Sequence, residues 1–160
     1  MLSFQDLYDT YAKDIYRFAL WLTGDRFDAE DVTSEVFIRA WARNHKIRTE
    51  TLKAYLLTIA RNIYLEQQRK GKRQVVLQDV HPDPAPAPER MIESQLELMK
   101  VRKILETLPE VDRTAFVLRV QHELPYAEIA RVLQISLSSA KVKVHRARKK
   151  MLTIYVDEEE

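Results

Sequence analysis

Cysteine is absent from the 160 residues, which excludes disulfides, thiolate catalysis and cysteine-based zinc sites together. Glycine is nearly absent, with Gly24 and Gly71 the only two, so a glycine-rich phosphate loop cannot be built. Histidine occurs at His45, His81, His122 and His145, without the spacing of a metal or catalytic set. These gaps argue against an enzyme, and no cofactor and no metal are expected. No run approaches the roughly 20 apolar residues of a membrane span. The opening stretch, residues 1–16, lacks the basic flank and unbroken apolar core of a secretory leader. A cytoplasmic protein is the expectation.

Strand-like alternation is also missing, whereas helical spacing runs along most of the chain. Ser3 and Asp6 have the pattern of a capping box, and Phe4, Leu7, Tyr8, Tyr11, Ile15, Phe18, Ala19 and Leu22 then repeat at helical intervals. Gly24 stands where a helix C-terminus needs a left-handed residue, and Asp25 can cap a second helix to about Asn44, with Phe27, Val32, Val36, Phe37, Ala40 and Trp41 inward. A third helix carries the stripe Leu52, Tyr55, Leu56, Ile59, Ala60, Ile63 and Tyr64 and runs out in the basic cluster Arg69, Lys70, Lys72 and Arg73. Three such helices can bury their stripes against one another in a small domain.

Pro82, Pro84, Pro86 and Pro88 then alternate with other residues, which removes backbone donors and favours an extended, semi-rigid spacer. Helical spacing resumes with Ile92, Leu96, Met99, Ile104, Leu105 and Leu108. Pro109 and Pro125 can each sit in the first turn of a following helix. The expected fold is all-α with two small domains, residues 1–73 and 90–156, a linker at 74–89 and an acidic tail at 157–160.

The overall charge is only +2, but its distribution is uneven. From Ile129 to Val156 there are Arg131, Lys141, Lys143, Arg146, Arg148, Lys149 and Lys150 and no acidic residue. A field of that sign attracts polyanions. Tyr126, Ile129, Ala130 and Leu133 mark a short helix, and Gln134 to Ser136 is a tight connection. Leu137, Ala140, Val144, Ala147 and Met151 form the seam of a final helix running to about Ile154. Opposite that seam lie Ser138, Val142, His145, Arg146 and Lys149, with Ser139, Lys141, Lys143 and Lys150 beside them. A charged terminal helix is usually just a solvated face. A short apolar helix and a three-residue turn immediately before it favour a helix-turn-helix that presents a recognition helix to a major groove.

These residues resemble a known family. Leu108-Pro109, Leu118-Arg119, Leu124-x-Tyr126-x-Glu128-Ile129-Ala130 and Ala140-Lys141-x-Lys143 with Arg146-Ala147-Arg148 resemble the domain of bacterial extracytoplasmic-function (ECF) sigma factors that reads the promoter −35 element. Gly24-Asp25, Ala29-Glu30-Asp31-Val32-x-x-Glu35-x-Phe37-Ile38-Arg39-Ala40 and Tyr55-Leu56-x-x-Ile59-Ala60-Arg61-Asn62 resemble their other domain. The resemblance spans nearly the whole chain and implies a subunit that brings core RNA polymerase to promoters. It places contact with the polymerase clamp around Asp28, Glu30, Asp31, Glu35 and Arg39. Capture of the −10 element falls on residues from His45 to Asn62, including Lys53, Tyr55, Thr58, Arg61 and Asn62, with Ile47 where several relatives carry an aromatic. Reading of the −35 element falls on Lys141, Val142, His145 and Arg146, to which the exposed-face reading adds Ser138, Ser139 and Lys143. A cognate anti-sigma factor is a further implied partner.

The acidic face formed by Asp28, Asp31 and Glu35 also has two other readings, a solvated surface and a divalent-cation site. One helix seldom supplies enough converging oxygens for the latter. Ser34 stands for the family's glutamine, and Gln134 and Ser138 stand for glycines, so a non-glycine residue has to hold the turn. The alternative for the whole chain is a stand-alone helix-turn-helix regulator with a sensing or dimerising N-terminal half.

Overall fold

Backbone caps decide where the helices begin and end. In a computed structural model, which describes residues 3–43, 52–74 and 93–159, the Ser3 hydroxyl accepts from the Asp6 amide and the Asp6 carboxylate accepts from the Ser3 amide. This reciprocal pair opens α1, Phe4–Thr23. Gly24 closes it at φ 72°, donating its amide to the Leu20 carbonyl. Asp25 then takes the Phe27 and Phe27-following Asp28 amides at 2.7 and 3.0 Å and starts α2, Arg26–Ala42. The third helix, α3, spans Leu52–Gln74.

These three helices pack mutually as one unit, and the second unit holds α4 (Glu93–Glu106), α5 (Glu110–Val120), α6 (Tyr126–Leu133) and α7 (Leu137–Glu159). The fold among the described residues is all-α, as expected. The core of the first unit is Leu7, Ile15, Phe18, Val32, Val36, Phe37, Leu56 and Leu57, with alanines where helices approach. In the second unit Leu105, Leu118, Ile129, Val132, Leu133 and Val144 take that place. The proline-rich linker and the turn from His45 to Arg48 lie outside the described residues.

Several expected positions shift. On α3, Ala54 and Leu57 are buried, while Tyr55 and Ile59 are half-buried. The helix is flanked on two sides and so buries a wider arc than a single stripe. On α2, Phe27 and Trp41 are exposed rather than core. Leu137 is 46% exposed although it continues the seam of α7. Helical side chains lean toward the N-terminus, so in the first turn this one points past the packed surface. Pro109 and Pro125 are the N-cap residues of α5 and α6, one step before the first turn.

Two helices outrun the pattern of apolar residues. α7 continues to Glu159 through the acidic end, since no glycine or proline interrupts residues 137–159. α3 continues through the basic cluster to Gln74. Gly71 lies inside it, and a methyl group added there would meet nothing within 4 Å.

Candidate nucleic-acid interface

The turn between α6 and α7 is a Schellman motif built on a non-glycine residue. Gln134 sits at φ 56°, ψ 47°, and its amide reaches the Arg131 carbonyl. The Ile135 amide closes the motif on the Ala130 carbonyl at 3.0 Å. Ser136 then caps α7, its hydroxyl accepting from the Ser139 amide at 3.1 Å. The left-handed turn expected of Gln134 is therefore present.

The connection into α6 is held by contacts the sequence does not advertise. Gln121 and His122 both return their amides to the Val117 carbonyl, and Leu124 donates to Leu118 at 3.1 Å. Glu123 takes a second left-handed conformation, φ 55°. The Arg119 guanidinium donates to the Leu124 carbonyl at 3.0 Å and lies over the Tyr126 ring, 4.5 Å from its centroid. One cation thereby fastens the end of α5 to the start of α6.

Held this way, α7 buries Ala140, Val144 and Ala147 and exposes Ser138, Lys141, Val142, His145 and Arg146. Ser139 is half-buried. These residues come together at the N-terminal half of one helix, where free amides and small hydroxyl side chains are followed by long basic ones. Such a surface suits phosphates at its edges and base edges at its centre. Lys143 departs from this face: its ammonium is 3.1 Å from the buried carboxylate of Asp112 on α5. The surface continues past these residues to Thr153 and Ile154, which with Arg146, Lys149 and Lys150 line an open depression of about 390 Å³.

In the first unit, Tyr55, Thr58 and Asn62 follow i, i+3, i+7 spacing along α3, and Arg61 is one turn from Thr58. Asn62 is exposed and the others half-buried. The Thr58 hydroxyl is spent on the Ala54 carbonyl, 2.7 Å away. Lys53 lies apart from them, turned toward Asp14 on α1 at 3.9 Å.

On α2, Asp28, Asp31, Glu35 and Arg39 share a stripe at i, i+3, i+7 and i+11, while Glu30 lies at the opposite edge of the exposed surface. Burial, then the neighbouring Asp25 and Asp31 carboxylates, push the Asp28 carboxyl above its ordinary value. Arg39 is held by Glu66 of α3 at 3.3 Å and by Glu35 at 2.9 Å. Those hydrogen bonds, Glu66 first, raise its already high pKa. The same exposed surface carries Phe27 and Ile38, 54% and 62% accessible, together with Trp41. Only the burial pattern reveals this apolar face. No group of three or more potential metal-binding side chains occurs among the described residues, and none of their helices is long and apolar enough to cross a membrane.

Comparison with known proteins agrees with both halves. Residues 7–74 match the family model for sigma-70 region 2, and residues 98–151 match that for sigma-70 region 4. The ECF RNA polymerase sigma factor SigM of Bacillus subtilis is 29% identical over 159 residues, 96% of either chain. SigX of the same organism is 30% identical over 157 residues, covering 92% of this chain and 80% of SigX. Among solved structures, the sigma factor RpoE bound to the anti-sigma factor NepR from Bartonella quintana superposes with a TM-score of 0.78 at 26% identity, covering 95% of this chain and 96% of RpoE. CnrH, solved with the cytosolic domain of CnrY, shares the fold with a TM-score of 0.72 at 22% identity over 98% of this chain and 89% of CnrH. With both regions matched in order along one chain, and a relative of this identity covered over most of its length, the protein belongs to the ECF RNA polymerase sigma factor family.

Proposed function

We propose that the two units divide the work of this sigma factor, the α6–α7 unit gripping the duplex −35 element and the α1–α3 unit docking on core RNA polymerase and capturing the opened −10 strand. As an ECF sigma factor the chain directs RNA polymerase to promoters and is not itself an enzyme. The observation that carries the assignment of α7 is its exposed face, where Ser138, Lys141, Val142, His145 and Arg146 gather at a capped helix N-terminus. Lys141 and Arg146 can donate to guanine O6 and N7 or to phosphate, and Val142 offers apolar contact to a thymine methyl.

For polymerase docking, support comes from α2, whose outer surface combines Asp28, Asp31 and Glu35 with exposed Phe27, Ile38 and Trp41. Apolar side chains left uncovered beside charge are what a protein interface needs. For the −10 strand, support comes from Tyr55, Thr58, Arg61 and Asn62 along α3. Stacking and polar groups on one helix suit an unpaired strand. The setting is the cytoplasm, where the polymerase works. An anti-sigma partner is proposed by analogy with RpoE, which was solved in complex with NepR. Transcription reconstituted from the purified chain and core polymerase on a family-typical promoter should initiate at a defined site. Absence of promoter-specific initiation would overturn the assignment.

A further inference from the structure

Lys143 lies in the middle of the proposed DNA-reading helix, yet its ammonium is directed into the protein. It meets Asp112 Oδ1 at 3.1 Å, with side-chain exposures of 23% for the lysine and 7% for the aspartate. The local sequence explains how it gets there. Ala140 and Ala147, three residues before and four after, are both fully buried, so Lys143 stands at the rim of the packed face. Two alanines leave room for a four-carbon stem to run inward. Asp112 sits in the first turn of α5, where Glu110 is engaged with the Thr114 hydroxyl at 3.0 Å and Arg113 with the Leu108 carbonyl at 3.3 Å.

We infer that Asp112 is a positioning residue for promoter reading: it serves as the internal counter-ion of Lys143, withdraws that lysine from the DNA-contacting set and fixes the rotation of α7 against α5. The inference rests on the reading of α7 as the duplex-binding helix. A carboxylate this deeply buried requires a partner, and so does an ammonium leaving water. The pair satisfies both at the rim of the seam and leaves Lys141, Val142, His145 and Arg146 to face the groove. Asp112 belongs to a different helix from every residue expected to touch DNA, so its effect would be transmitted through the rotation of α7 and the availability of one charge.

The salt dependence of promoter binding by reconstituted holoenzyme tests this, because each phosphate neutralised by a lysine or arginine adds about 0.9 to the slope of log K against log salt. Arg146→Met should reduce the slope by about that amount if Arg146 grips phosphate. A base contact at Arg146 would instead show as a loss confined to particular base substitutions in the −35 element. Lys143→Met should keep the parental slope. Asp112→Asn should steepen it, by up to about 0.9, as the released lysine reaches phosphate, and Asp112→Asn/Lys143→Met should return it to the parental value. A merely structural role for Asp112 would not steepen the slope. If Lys143→Met loses slope as a phosphate contact does, or Asp112→Asn remains helical by circular dichroism at the parental slope, the proposal is overturned. Should Asp112→Asn not fold, Lys143→Met decides alone. An Arg146→Met variant with neither slope loss nor base-specific loss overturns the reading of α7, and the proposal with it.

Discussion

Gln134 and Glu123 are the two non-glycine residues with positive φ among the described residues, and they bracket α6 on either side. The left-handed region costs an ordinary L-residue about 1–2 kcal/mol, so the first helix of the helix-turn-helix is entered and left through strained backbone. Gln134→Gly should raise stability by about 0.5–1 kcal/mol, the relief being partly offset by the freer unfolded chain. A higher denaturation midpoint at unchanged m-value would register it. Asp28 supplies a pH-dependent case. Its carboxyl holds a proton to higher pH in the folded chain than in the unfolded one, chiefly through burial and then through Asp25 and Asp31. Within that window the folded state binds more protons, so this group's contribution to stability falls as pH rises. Asp28→Asn should therefore be more stable than the parent at pH ~7, and the gap should close as pH falls through the ordinary carboxylate range near about 4. Paired denaturation curves at the two pH values measure it, and a gap independent of pH would contradict the assignment.

At the level of elements, Asp25 serves two amides at once, and Asp25→Ala should destabilise the first unit by about 1–2 kcal/mol. Thermal melts of the variant at neutral pH would show the loss. Caps of this kind were readable directly: Ser3, Gly24 and Asp25 all act where local sequence places them. The helices were readable too, because a seam such as Ala140, Val144 and Ala147 repeats within one element. What periodicity could not show is which side of an apolar helix finds a neighbour, and so Phe27 was assigned inward although it faces out, and Trp41 although it meets the Phe4 ring edge-on and stays 38% exposed. It was equally silent on pairs formed across elements. Lys143 reads as one more cation on a basic face until Asp112, 31 residues earlier, is brought beside it. Arg119 likewise gains its meaning only from the Leu124 carbonyl and the Tyr126 ring.

For the whole molecule, separate units imply separable contributions. Arg146 on α7 and Asn62 on α3 belong to different units. Their alanine variants should lower promoter-complex formation by free energies that add to within about 0.5 kcal/mol in the double variant. Filter binding or fluorescence with holoenzyme gives all four corners of that cycle, and a larger coupling would mean that the two proposed grips communicate. In the first unit, Gly71 lies in the last turn of α3. Since open space surrounds that residue, Gly71→Ala removes only backbone freedom, favouring the helix by about 0.5–1 kcal/mol without altering charge or packing. Slower amide hydrogen exchange from Lys70 to Arg73 would record the change. The last turn of α3 thus has a stiffness adjustable by a single methyl group, which would make the entropy of the proposed two-point hold on a promoter an experimentally tunable quantity.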